Sequence, residues 1–258
     1  MPLELLHKKG RADELLAAAG LAGSRSQAQA LIMAGDVSAA GRPVKKAGER
    51  WPLDTVFAVA ARRRFVSRGG HKLEGALEDL GVDPKGLRAL DVGASTGGFT
   101  DCLLQHGAAA VTAVDVGRNL LDWTLRRDER VTAVEGVNAR ALAEHLSGPG
   151  FDLAVIDVSF ISLALIIPQA ARLMNEGARI LAMVKPQFEV GRDKVGKKGV
   201  VRDQAAIDGA VNKIAALAPL LDPPFKVSGR APSRLPGPEG NREVFLLFER
   251  PAEAAEAG

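Results

Sequence analysis

The polar residues of this 258-residue chain that could do chemistry stand at the ends of apolar runs. Asp157 follows Leu153-Ala-Val-Ile156, and Lys185 follows Ile180-Leu-Ala-Met-Val184. Glu243 opens Glu243-Val-Phe-Leu-Leu-Phe248 after Gly240-Asn-Arg, and Lys72 lies upstream in Ser67-Arg-Gly-Gly-His-Lys-Leu73. A ribose hydroxyl is a poor nucleophile because it holds its proton tightly. A lysine beside two carboxylates can orient such a hydroxyl and assist its deprotonation. True base catalysis also requires burial or a further cation, to oppose the rise in lysine pKa that the carboxylates cause. Lys72, Asp157, Lys185 and Glu243 are therefore the candidate catalytic set, with Lys72 as the second cation. A single such residue is usually a surface ion pair; several at strand ends are not.

A glycine-rich turn supplies the second element. Leu90-Asp-Val-Gly-Ala-Ser-Thr-Gly-Gly-Phe99 follows an apolar run and opens a helical pattern. Glycines let the backbone bend sharply and approach a ligand, and a helix start offers N–H groups to it. The spacing Gly93-x-x-x-Gly97-Gly98 fails the dinucleotide fingerprint, and no Lys-Ser/Thr follows as a phosphate loop requires. Asp115, some twenty residues on, can take both hydroxyls of an adenosine ribose, and Asp91 can meet an ammonium group. A ligand with an amino acid end, an adenosine and no phosphate fits both acids, and S-adenosylmethionine is that ligand. Asp91, Gly93, Ser95, Thr96, Gly97, Gly98, Phe99 and Asp115 are its candidate contacts, with Asn138 at the adenine edge.

Gly191-Arg-Asp-Lys-Val-Gly-Lys-Lys198 matches a phosphate loop through Lys197, but Lys198 replaces the hydroxyl that would hold magnesium. It reads as a mobile basic loop near the site. The four histidines show no metal spacing, so no metal is expected, and Cys102 reads as core.

These residues need a sheet to line them up. From Leu87 onward, short β-branched runs alternate with helical stretches, which predicts a mostly parallel sheet covered on both faces. The strand candidates are Leu87–Val92, Ala110–Val116, Val131–Glu135, Leu153–Asp157, Ile180–Val184, Phe225–Ser228 and Glu243–Phe248, with helices over Leu163–Asn175 and Gln204–Leu221. In such a sheet ligands sit outside the carboxyl ends of the strands. An antiparallel last strand brings its first residue, Glu243, to that edge.

Residues 1–61 read as a separate α+β domain. One helix begins near Arg11 and stops at Gly20, and a second opens with a capping box at Ser24 and Gln27 and ends at Gly35. Val37–Val44 then forms two short strands around a turn, and Thr55–Ala60 a further strand. Residues 62–68 read as a linker, 69–250 as the catalytic domain and 251–258 as a disordered tail. Residues 1–72 carry thirteen Lys+Arg against six Asp+Glu, whereas the remainder holds 21 against 25. A basic front on a slightly acidic body suggests that one end holds a polyanion. The apolar runs are too short to span a bilayer, no signal peptide is visible, and the single cysteine fits a reducing compartment. A cytoplasmic protein is expected.

Five motifs together resemble the TlyA family of haemolysin-named ribosomal RNA 2′-O-methyltransferases with an FtsJ-like catalytic domain. They are Ser67–Leu73, Asp91-Val-Gly-Ala-Ser-Thr-Gly-Gly-Phe-Thr-Asp101, Asp157-Val-Ser-Phe-Ile-Ser-Leu163, Val184-Lys-Pro-Gln-Phe-Glu189 and Gly240-Asn-Arg-Glu243. The stretch from Arg11 through Ser24-Arg-Ser-Gln-Ala28 to Gly35-Asp-Val37 is similar to the S-four RNA-binding domain, departing from it at Ala12, where Leu is common. The resemblance implies a Rossmann-like methyltransferase and methylation of cytidine riboses in ribosomal RNA, within ribosomal subunits; a monomer is the default expectation, with the oligomeric state left open. It also implies that the Lys-Asp-Lys-Glu set falls on Lys72, Asp157, Lys185 and Glu243.

On that reading Arg25, Lys45, Lys46, Arg62, Arg63, Arg64 and Arg68 are candidates for RNA contacts, mostly to phosphates, and the low aromatic content favours recognition of RNA shape over stacking. The family name supplies a rival, a membrane-perturbing protein. An RNA-binding protein with an inactive methyltransferase domain is a third reading, opposed by the intact catalytic candidates.

Overall fold

The computed structural model describes residues 8–33, 35–59, 64–146, 150–237 and 239–251. The chain divides into two compact units, Met1–Arg64 and Phe65–Gly258.

In the first unit, β1 (Lys9–Arg11) leads into α1 (Ala12–Ala18) and α2 (Arg25–Met33), followed by β2 (Val37–Ala39), β3 (Arg42–Pro43), β4 (Arg50–Pro52) and β5 (Phe57–Val59). An antiparallel sheet of order β3-β2-β5 and a separate β1-β4 pair result. Neither β1 nor β4 is expected from sequence, because Lys-Gly-Arg and Arg-Trp-Pro are too short and polar to show alternation. Leu16, Ile32, Val37, Trp51 and Phe57 fill the core. The capping box at α2 is modified. Ser24 Oγ accepts the Gln27 N–H at 3.1 Å, but the Gln27 side chain takes the N–H of Gly23 rather than that of Ser24. A fully buried Asp13 fastens α1 to α2, accepting from Arg11, from Arg25 Nε at 3.0 Å and from Gln29 Nε2 at 2.7 Å.

The second unit contains α3 (Arg68–Leu80), β6 (Arg88–Val92), α4 (Gly98–Gln105), β7 (Ala110–Asp115), α5 (Trp123–Arg126), β8 (Val131–Glu135), α6 (Leu142–His145), β9 (Phe151–Ile156), α7 (Ile167–Ala171), β10 (Met174–Val184), α8 (Pro186–Glu189), α9 (Gln204–Ala215), β11 (Lys226–Pro232) and β12 (Val244–Glu249). Its seven-stranded sheet has the order β11-β12-β10-β9-β6-β7-β8. The strands from β6 to β10 pair in parallel, and β12 runs antiparallel to both β10 and β11. The α/β sheet with an antiparallel final strand is thus as expected. Apolar side chains from both faces, among them Leu90, Ile156 and Ile180 on one side and Leu103, Leu153 and Phe245 on the other, form two cores with helices over each.

Two expectations are corrected. The helix over Leu163–Asn175 is broken into a single 3₁₀ turn at Leu163–Leu165 and the short α7, after which Met174 already pairs with Phe151. Pro168 lacks an N–H and so sits at the start of α7 rather than inside a longer helix. The linker over residues 62–68 is shortened at its far end. Phe65 is buried, the Val66 N–H bonds Asp101, and Ser67 caps α3, so Phe65 onward packs into the second unit. Of the rest of that segment, residues 62–63 lie outside the described residues, as does the tail beyond Pro251.

Candidate functional site

The chain runs from β6 outward through β7 to β8 and then returns to place β9 on the other side of β6. Where the order reverses, adjacent connections leave the sheet in opposite directions and open a crevice at the carboxyl ends. Val92 pairs with Ile156, Ala182 with Ile156, and Val184 with Val244. The residues just beyond those pairs, Gly93, Asp157, Lys185 and Glu243, therefore share one edge of the sheet. Register alone brings them together.

At this edge the four catalytic candidates form two ion pairs. Lys72, on the buried face of α3, places Nζ 2.5 Å from Glu243 Oε2, with both groups shielded from solvent. Lys185 Nζ lies 2.5 Å from Asp157 Oδ1 and donates to Ser159 Oγ at 2.8 Å. The contact at Asp157 is one of charge, because Oδ1 has no aligned hydrogen bond. Ser159 was not a candidate from sequence, and neither was Glu189. The buried Glu189 carboxylate accepts from Ser162 Oγ and from the Leu163 N–H at 2.6 and 2.7 Å, tying the turn after β9 to the one after β10.

Beside these pairs a cleft of about 570 Å³ is lined by Gly93, Ser95, Asp115, Asn138 and Asp157, with Leu120, Val137 and Phe160 among its apolar walls. Asp115 is held by two backbone donors, the Ser95 N–H at 2.8 Å and the Gly117 N–H at 2.7 Å, which fixes its carboxylate at the cleft. Gly93 has φ +87°, and a Cβ there would fall 2.4 Å from the Asp157 carbonyl oxygen, so only glycine lets β6 and β9 diverge this closely. Gly97 and Gly98 shape the turn into α4, and the Thr96 carbonyl accepts the Asp122 N–H. Phe99 departs from expectation. Its ring is buried in the core against Phe245 and does not line the cleft.

Asp91 is fully buried behind this turn. Its Oδ2 accepts from Thr100 Oγ1 at 2.7 Å, while Oδ1 is buried with no partner. Burial pushes its pKa up to about 7, with the Thr100 hydrogen bond opposing and the negative charge of Asp157 adding to the rise. An orphaned carboxylate oxygen next to a glycine turn suits a ligand that carries its own cation. The polar groups therefore fit S-adenosylmethionine: Asp91 for the ammonium, Asp115 for the ribose diol and Asn138 for the base. Among the described residues no cluster of three His, Cys, Asp or Glu side chains could hold a metal.

Phe160 is 90% exposed at the cleft mouth, in the left-handed region at φ +64°, with its ring 5.1 Å from that of Phe188. Composition gave no sign of it. The RNA-contact candidates separate into several groups. Lys45, Lys46, Arg64 and Arg68 are exposed. Arg25 is half-exposed but spends its guanidinium on Asp13 and, at 3.2 Å, on Glu14. Arg62 and Arg63 lie outside the described residues.

Comparison with known proteins agrees with this geometry. Residues 65–250 match the family model described as FtsJ-like methyltransferase, and residues 10–51 match that of the S4 domain. The 16S/23S rRNA (cytidine-2′-O)-methyltransferase TlyA of Mycobacterium tuberculosis H37Rv is 44% identical over 96% of this chain and 92% of its own length. Hemolysin A of Brachyspira hyodysenteriae is 37% identical over 92% of this chain and 99% of its own. A solved hemolysin-named protein from Streptococcus thermophilus superposes with a TM-score of 0.68 at 39% identity, covering 96% and 92% of the two chains. Despite those names, no helix among the described residues is long and apolar enough to cross a membrane.

Proposed function

This chain belongs to the FtsJ-like methyltransferases and carries an N-terminal S4 domain, and from that premise we propose that it methylates the 2′-hydroxyl of cytidine in ribosomal RNA. The observation that carries this reading is the meeting of Lys185–Asp157 and Lys72–Glu243 beside the cleft that Asp115 and Asn138 line. The similarity to a ribosomal RNA cytidine-2′-O-methyltransferase narrows the acceptor. The natural substrate is a ribosomal subunit, met in the cytoplasm.

S-adenosylmethionine, when bound, supplies an electrophilic methyl group on a sulfonium. Asp91, Asp115 and the glycine turn hold it by its ammonium, ribose and backbone-facing edges. Lys185 orients the ribose hydroxyl through its ammonium, whose position Asp157 and Ser159 fix. As the oxygen takes the methyl group, Lys185 accepts the hydroxyl proton and passes one of its own to Asp157, whose Oδ1 lies 2.5 Å from Nζ. Lys72 neutralises Glu243, so the second carboxylate adds no net charge to the site. Phe160 offers an apolar face on which the base beside the reacting ribose can stack.

The test incubates the protein with methyl-labelled S-adenosylmethionine and separated ribosomal subunits, then maps the label. Label on a ribose of either subunit supports the reading. Label confined to a base or to protein, or none at all, refutes it.

A further inference from the structure

The methyltransferase domain carries a basic hollow that the catalytic chemistry does not use. Between α8 and α9, the segment 191–203 holds Arg192, Lys194, Lys197, Lys198 and Arg202 against Asp193 and Asp203, within a domain whose balance is otherwise acidic. All five cations are exposed, and none has an ion-pair partner among the described residues. Asp203 makes no ion pair with them among the described residues; its carboxylate caps the Ala205 N–H at the start of α9, so the five cations outnumber the two carboxylates of the segment. Lys194, Lys197 and Arg202 line a hollow of about 400 Å³ together with Gly196, Val200 and Asp203.

This loop is built, not merely charged. Lys198 and Gly199 occupy the left-handed region in succession, at φ +63° and +75°, and the turn closes with the Gly196 N–H on the Val200 carbonyl at 3.0 Å. Holding a non-glycine residue there costs energy that the surroundings must offset. The offset comes from Asn241, which is buried. Its Oδ1 accepts the Val201 N–H and its Nδ2 donates to the Gly199 carbonyl, both at 2.9 Å. Beneath the loop, Val201 packs with Ala206 and Ile207. Asn241 stands two residues before Glu243, so one side chain fixes the basic turn to the strand start that carries a catalytic candidate. Arg242, exposed between them, adds a further cation beside the turn.

We infer that this Asn241-pinned turn is a phosphate clamp on the methyltransferase domain, gripping the RNA backbone next to the nucleotide in the cleft. Unpaired, exposed cations on a rigid turn suit phosphodiesters, because each contact releases condensed counterions and needs little reordering of the protein. A free phosphate or nucleotide shares that chemistry. The backbone of RNA is favoured because the cations extend beyond the hollow along the turn. The inference rests on the RNA methyltransferase reading.

Equilibrium binding of the full chain to ribosomal RNA, measured between about 50 and 200 mM salt, tests it. The Lys194→Gln/Lys197→Gln/Lys198→Gln variant is compared with wild type and with the corresponding triple Arg variant. Loss of three phosphate contacts flattens the slope of log affinity against log salt by about 2 to 3. Over that fourfold range wild-type affinity then falls about 20- to 40-fold further than that of the Gln variant. The Arg variant keeps the wild-type slope, and S-adenosylmethionine affinity stays the same in all three, reporting an intact fold. An unchanged slope in the Gln variant overturns the clamp while wild-type methyl transfer to RNA leaves the parent reading standing. Inorganic phosphate bound by wild type and lost in the Gln variant, with the RNA slope unaltered, also overturns it in favour of a small-anion site. A wild-type protein that neither binds nor methylates ribosomal RNA removes both.

Discussion

Replacing Asp91 with Asn should make the cofactor-free protein more stable while abolishing its cofactor binding. The carboxylate is fully buried with one oxygen unpartnered, and its pKa rises from an ordinary 3.8 to about 7. An acid whose pKa is raised on folding holds its proton more tightly in the folded state. Stability is therefore lost as pH climbs from about 4 to about 7 and changes no further above that. The gap between 3.8 and about 7 corresponds to roughly 4 kcal/mol at 1.36 kcal/mol per pH unit, an upper bound because local relaxation softens burial. The Asn side chain keeps an acceptor for Thr100 and has no charge to desolvate. Denaturant titrations of wild type and Asp91→Asn at pH 5 and pH 8 should thus give a difference that grows toward pH 8 in favour of Asn, reaching about 2–4 kcal/mol. Calorimetry should show S-adenosylmethionine binding to wild type with proton release below pH 7, and no binding to the variant. A stability difference that is the same at both pH values would refute the argument, since only ionisation of a buried acid produces the trend. Undiminished cofactor affinity in the variant would separately remove Asp91 from the ammonium.

Other perturbations probe other parts of the molecule. Lys185→Ala should reduce kcat by at least about 100-fold with little change in cofactor affinity, because the general acid–base contribution is lost while the cleft is intact; a single-turnover assay decides. Phe160→Ala should raise the RNA KM by roughly 5- to 100-fold without moving the cofactor Kd, the range expected for one lost stacking partner. Gly93→Ala should destabilise the second unit and weaken cofactor binding, because the added Cβ meets the Asp157 carbonyl at 2.4 Å in a left-handed conformation; thermal melts with and without cofactor check it. Asp13, held well below the usual carboxylate range chiefly by its hydrogen bond to Arg11, confers stability that is present above about pH 4 and lost as pH falls. Asp13→Ala should therefore destabilise the first unit at pH 7 by about 3 kcal/mol, leaving Arg11, Arg25, Gln29 and the Glu14 N–H without their shared acceptor, and by less at pH 3.

The chain by itself determined the elements and the chemistry types. Alternating apolar runs fixed a mostly parallel sheet, and the glycine turn with Asp91 and Asp115 pointed to a phosphate-free adenosine ligand, because backbone freedom and charge are written locally. Polar residues at strand ends marked one edge of the sheet as the candidate site for the same reason. Tertiary structure alone decided how those residues are shared out. The pairing of β10 with both β9 and β12 brings Lys185 beside Asp157, whereas α3, distant in sequence, supplies Lys72 to Glu243. The isolation of Asp91 Oδ1, the loss of Phe99 to the core, the exposure of Phe160 and the grip of Asn241 on a basic turn depend on packing between remote segments. No local pattern encodes them. A side chain's type shows what it can do; only the neighbours that fold against it settle whether it faces a ligand, a partner charge or the core.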